Sequence, residues 1–200
     1  MSAIFKREMR AYFTSPIGFI FIAIFFVANG ALFSYLTLQA GSTSDISSYF
    51  LMLLFLFIIL IPLLTMKLFC EERKQKTEQL LLTAPVTITG MVLGKYLAAL
   101  TMFVGGVLVS CINFIPIYAF ASIERGSESY NTTHIGPVTG QVIGCLVGIL
   151  LIGAAFIAIG MFISSLTESQ VIAAVITLGV MVFLNFMSGI AGLIPQTAGA

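Results

Sequence analysis

The stretch FLMLLFLFIILIPLL, Phe50 to Leu64, decides the fold. It holds no charge and shows no alternation of apolar and polar residues. The strands of a membrane barrel alternate. Hydrocarbon offers the backbone no hydrogen-bond partner, so a segment that crosses it is either a helix or part of a closed barrel. This run therefore reads as a transmembrane helix with a proline kink near one end, at Pro62.

Working outward from it, the same pattern fills the chain. No charged residue occurs in Ala11–Ser44, Ile46–Met66, Gln79–Gly94, Tyr96–Ile123, Ser129–Thr167 or Ser169–Ala200. Crossing a bilayer core takes about 20 apolar residues in a helix. Of the 200 residues, 59% are hydrophobic and only 8% charged, which excludes an ordinary soluble domain. The fold class is all-α: a polytopic helical membrane protein with about five spans. These are expected near Ile17–Gln39, Ser48–Phe69, Gly90–Ala121, Val138–Ser164 and Val171–Gly189. Thr87 or Thr89 can cap the third.

Residues 1–15 form a separate unit ahead of the 16–200 membrane domain. In SAIFKREMRAYFTSP, Phe5, Met9, Tyr12 and Phe13 recur at helical spacing, with Lys6, Arg7 and Arg10 toward the other face. That pattern predicts an interfacial helix, apolar side in the headgroup boundary and basic side toward anionic lipid. Ser15-Pro16 ends it, because the residue before a proline is pushed out of helical geometry.

Orientation follows from Lys and Arg in short loops. With the N-terminus inside, one side receives Lys6, Arg7, Arg10, Lys67, Arg73, Lys74, Lys76 and Lys95, and the other only Arg125. The N-terminus is expected in the cytosol. So is EERKQKTEQLLLTAPVT, Glu71 to Thr87, the heart of a connector over residues 70–89.

Several chemistries are excluded or disfavoured. A net charge of +1 gives no basic stripe for nucleic acid. The nearest approach to a phosphate loop is GMVLGKY, Gly90 to Tyr96. Its glycines are one residue too close, and Tyr96 stands where Ser or Thr should hold magnesium. Lys95 reads instead as a lysine snorkelling at the inner mouth of the third span. Cys70, Cys111 and Cys145 are scattered and read as small hydrophobes, and His134 has no companion ligand. The sequon Asn131-Thr132-Thr133 is a weak glycosylation signal. A protease built on Glu71-Glu72 would need histidines or a metal in the membrane. No enzymatic activity is expected of this chain. Asn29, Asn113 and Asn185 are polar groups within spans, which more often bond between helices than line a pathway. Gly140, Gly144 and Gly148 form GxxxGxxxG, suited to close helix packing inside one subunit or between two.

Lys67–Glu78 holds seven of the seventeen charged residues. Glu72 and Lys76 are four apart in the favourable order for a helix. Such a helix, charged at its start and carrying Leu80-Leu81-Leu82 at its end, can plug into a groove on a soluble partner. The alternative is a solvated loop with its leucines among the headgroups.

The connector resembles the cytosolic segment of ABC-2 type transporter permeases, through Glu71-Glu72-Arg73, Thr77, Leu81-Leu82, Pro85 and Gly94-Lys95. TMK, EER, T, LLLTAPV and GKY in this order look most like the gliding-motility type of ABC-2 permease. The resemblance implies a permease subunit of an ATP-binding-cassette transporter, with export as the family's direction, in the inner (cytoplasmic) membrane of a bacterium. It implies a second permease subunit, the same or different, and separate P-loop ATPase subunits that bind ATP and magnesium, so that this chain holds no cofactor. Glu71, Glu72, Arg73, Lys74, Thr77, Glu78, Leu81, Leu82 and Pro85 would then form the coupling segment docked on the ATPase. The family has six spans, so with about five this chain is expected to be a fragment lacking the last helix, the alternative being that the final span is absent. A competing class is a non-transporting scaffold that recruits a cytosolic partner through the same connector.

Overall fold

The computed structural model describes residues 2–14, 16–35, 47–74, 88–116, 118 and 139–193. Among them are helices and no strand. They are α1 (Ser2–Thr14), α2 (Pro16–Phe33), α3 (Ser47–Thr65), α4 (Lys67–Lys74), α5 (Ile88–Ser110), α6 (Thr139–Leu166) and α7 (Gln170–Leu193). Among the described residues four stretches are long and apolar enough to cross a membrane: Ser48–Cys70, Ile88–Pro116, Thr139–Leu166 and Gln170–Met187. The pair α1–α2 would make a fifth span if its two bent halves count as one.

The element boundaries follow local chemistry. Pro16 opens α2, where its missing N–H is one of the donors a helix start leaves unpaired anyway. α1 and α2 meet at a bend of 66°. At that bend a Cβ on Gly18 would overlap the Tyr12 carbonyl, so only glycine allows the approach. α5 begins at Ile88, two residues before the expected start, with Thr89 inside it. It tightens into a 3₁₀ turn at Cys111–Asn113, three residues ahead of Pro116, which cannot donate to the helical ladder.

α3 is the central helix, with α2, α6 and α7 packed around it, and α5 lies between α2 and α6. Helices in lipid gain no hydrophobic drive from meeting one another, so shape and polar contacts decide how they pack. An aromatic row supplies the shape. Phe25 of α2 stacks on Phe57 of α3 at 5.6 Å, and Phe57 meets the Phe103 ring of α5 edge-on at 4.7 Å. Phe103 in turn lies directly against Gly153 of α6, where a Cβ would collide with the ring. Tyr96 of α5 donates to the Ala154 carbonyl beside it, at 3.2 Å.

α1 departs from the interfacial expectation in one respect. Its basic residues Lys6, Arg7 and Arg10 are exposed as expected, but Ile4 and Tyr12 are buried against the protein itself, where α1 packs along α5. Phe13, expected on the apolar face, is half exposed.

Candidate functional site

Two polar clusters sit at opposite ends of α3. At its start, Tyr49 donates to Asn29 Oδ1 at 2.6 Å and lies 3.0 Å from Ser110 Oγ, while Asn29 Nδ2 donates to Ser110 at 2.9 Å. All three are buried. The aromatic rings of Phe33, Phe50 and Phe114 enclose Tyr49. In an apolar interior each polar group must find such a partner or lose free energy. Asn29 therefore acts as a bond between helices. Asn185 donates to the Met181 carbonyl of its own helix.

The second cluster surrounds the other end of α3, where the chain breaks at Met66 and resumes as α4, the root of the charged connector. Pro62 sits one turn before the break, and Met66 N–H donates to the Pro62 carbonyl at 2.9 Å. The groups around the break are taken up by three other elements. From α1, the Tyr12 hydroxyl donates to the Leu64 carbonyl at 3.2 Å. From α5, Lys95 Nζ donates to the Leu68 carbonyl at 2.7 Å and lies 5.2 Å from the centre of the Phe69 ring. From α6, Ser164 Oγ donates to the Met66 carbonyl and accepts the Phe69 N–H, both at 3.3 Å. Cys70 returns the contact, its thiol donating to the carbonyls of Ser164 and Thr167 at 3.3 and 3.2 Å.

Lys95 is the main correction to the sequence reading. It does not snorkel. The side chain is 2% exposed, and the ammonium lies 3.3 Å from Glu8 Oε1 of α1. Glu8 also accepts from Arg7 at 2.7 Å. Nothing near Lys95 in the sequence points to a carboxylate so far upstream; the only signal is that Glu8 is the one acid on α1. Gly90 to Tyr96, tested above as a phosphate loop, forms the opening turns of α5.

Of the proposed coupling residues, Glu71, Glu72, Arg73 and Lys74 lie on α4, with Arg73 exposed and Leu68 and Cys70 buried beneath. Thr77, Glu78, Leu81, Leu82 and Pro85 lie outside the described residues, as do Asp45, Arg125, the sequon and His134. Glu168, in the turn between α6 and α7, is exposed. Among the described residues the contacts around the break are structural bonds between helices, not an array of acid, base and nucleophile. What they can do is mechanical: α4 is held at its base by contacts to α5 and α6, with α1 holding the end of α3 just before it, so a displacement of α4 is felt by α5 and α6.

A family match agrees with this picture of a membrane component. Residues 33–200 match the sequence family described as ABC-2 family transporter protein. No curated protein and no solved structure matches the chain.

Proposed function

We propose, because this chain belongs to the ABC-2 transporter family, that it is the permease subunit of an exporter driven by separate P-loop ATPase subunits. It sits in the cytoplasmic membrane of a bacterium with its N-terminus in the cytosol, beside a second permease subunit. The partner subunits bind ATP and magnesium, and this chain contributes the membrane path. The gliding-motility type of permease is the subtype its connector resembles most.

The observation that carries this reading is the fastening of α4. A connector that merely crossed water would need no anchorage at its root. Here the root is tied by side-chain bonds to α5 and α6, and the end of α3 just before it to α1, with a buried lysine committed to the Leu68 carbonyl. Movement of docked ATPase subunits would enter through residues 75–87 and reach α3 and α5 directly. The charged shoulder, Glu71 to Lys74 with Glu78, steers docking, and Leu81 and Leu82 supply the buried contact. Thr77 and Pro85 complete the coupling segment.

Its test is Leu81→Ala with Leu82→Ala. Truncating a buried leucine costs about 2–5 kcal/mol in a packed core, and a docking groove should lie at the low end. The double variant should insert normally yet release or uncouple the ATPase, read by co-purification and by ATP turnover in liposomes. Wild-type values for both would mean that the connector is a solvated loop.

A further inference from the structure

The contact between α6 and the α3–α4 break is more than packing. Gly160 and Ser164 are one turn apart on α6 and face the same place. At Gly160 the backbone of α6 comes so close to Thr65 that a Cβ would lie 2.9 Å from the Thr65 Cβ and closer still to its hydroxyl. One turn on, the Ser164 hydroxyl enters the break itself. It accepts the Phe69 N–H, which an unbroken helix would give to the Thr65 carbonyl, and donates to the Met66 carbonyl. A side chain inserted into the helical ladder is one of the few recognised causes of a helix break. The Thr65 hydroxyl, meanwhile, bonds back to the Ile61 carbonyl at 3.0 Å. In the reverse direction the Cys70 thiol of α4 donates to two carbonyls at the end of α6, those of Ser164 and Thr167. Each element thus satisfies backbone groups that the other leaves open, and the junction is reciprocal.

We infer that Ser164 is a positioning residue that keeps the α3–α4 break as a hinge and yokes the α6–α7 turn to the connector, so that input through the connector moves α6 and α7 along with α3 and α5. The inference rests on the coupling reading above. The bonds are short-range and directional, so α4 cannot tilt about Met66 without pulling on Ser164 and Thr167. Removal of the hydroxyl gives the Phe69 N–H no partner on α6. The helix can then close its own ladder through Thr65, and only the Cys70 thiol still ties α4 to the turn.

The test uses the full chain assembled with its P-loop ATPase in nanodiscs, on a Cys111→Ala, Cys145→Ala background that keeps the buried Cys70. A reporter thiol is placed in the connector (Gln75→Cys) or in the exposed α6–α7 turn (Glu168→Cys). Its rate of reaction with a membrane-impermeant maleimide is compared with and without ATP trapped by vanadate. In the parent both sites should change rate on trapping. Ser164→Ala should diminish the change at 168 and keep it at 75, and Cys70→Ala added to it should abolish the change at 168. Ser164→Thr, which restores a hydroxyl, should recover it, and an ordinary loss of fold would not show that split. If site 168 responds in Ser164→Ala as fully as in the parent, or never responds in the parent while site 75 does, the hinge inference is overturned and the coupling reading stands. A site 75 indifferent to trapping would remove both.

Discussion

Lys95 shows how a single side chain can carry three contacts at once. Its ammonium meets a carboxylate on α1, a backbone carbonyl on α4 and the face of Phe69. Removing one member of a buried pair leaves the other charge uncompensated, which costs about 3–5 kcal/mol, whereas replacing both with apolar groups is often close to neutral. Lys95→Met should therefore lower the thermal midpoint of the purified protein sharply. Glu8→Gln should cost less, because the carboxylate is partly exposed and the lysine keeps the Leu68 carbonyl. In the double variant the two losses should fall short of their sum; strict additivity in a double-mutant cycle would show that the 3.3 Å contact contributes nothing. Only part of this was legible in the sequence. The position of Lys95 near the start of a span could be read, but a snorkelling lysine and a paired one look identical without the fold that brings Glu8 across. Asn29 was read correctly as a bond between helices. Its partners Tyr49 and Ser110 could not be named, because hydroxyl residues are common in every span.

The glycines of α6 separate two kinds of helix packing. GxxxGxxxG at Gly140, Gly144 and Gly148 is the pattern a sequence offers first, yet among the described residues nothing lies within 4 Å of where a Cβ would stand on any of them. The close approaches fall further along, at Gly153 against the Phe103 ring and Gly160 against Thr65. These two are seven residues apart, two helical turns, and so share one face. Sequence reading missed them because seven-residue spacing is a weaker pattern than consecutive GxxxG. Gly160 with Ser164 is nonetheless a small-xxx-small pair of the kind that brings membrane helices together. The expectation is a contrast. Gly153→Ala must displace a ring that is already held by Phe57, and overpacking of this sort costs about 1–3 kcal/mol. Gly144→Ala should leave the midpoint of the monomer unchanged. Thermal unfolding in detergent distinguishes them, and equal shifts would contradict the assignment of the packed face. If two copies meet on the open glycines, Gly144→Ala will instead weaken self-association, visible by size-exclusion chromatography with light scattering.

At the scale of the whole molecule the two polar clusters fix which ends of the helices lie together. Glu8, the 64–70 break, Lys95 and the end of α6 meet at one end. The end of α2, the start of α3 and the end of α5 meet at the other. This is the alternation that the hydropathy pattern called for, because each successive span must reverse direction. The spans were legible to within a few residues for α6 and α7, where charge-free runs end in short polar turns. The bend between α1 and α2 and the splitting of the second span at Met66 were less so, since both depend on tertiary contacts as well as on Pro16 and Pro62. The excess of Lys and Arg falls on the end where α1, α4 and the start of α5 meet, and the rule that short basic loops stay inside predicts a cytosolic location for that end. Single-cysteine variants of the otherwise cysteine-free chain test this in intact cells. Asp45→Cys and Arg125→Cys should react with an impermeant maleimide from outside, whereas Lys74→Cys and Ser165→Cys should react only after permeabilisation. Lys74 and Ser165 carry the argument because Cys70 and Ser164, a few residues away, are in contact. The two positions must lie on the same side whichever way the protein inserts. Labelling of both from outside would invert the orientation and leave the fold intact. Labelling of one without the other would break the fold itself, since it would place a membrane between two residues that the α4–α6 junction holds together.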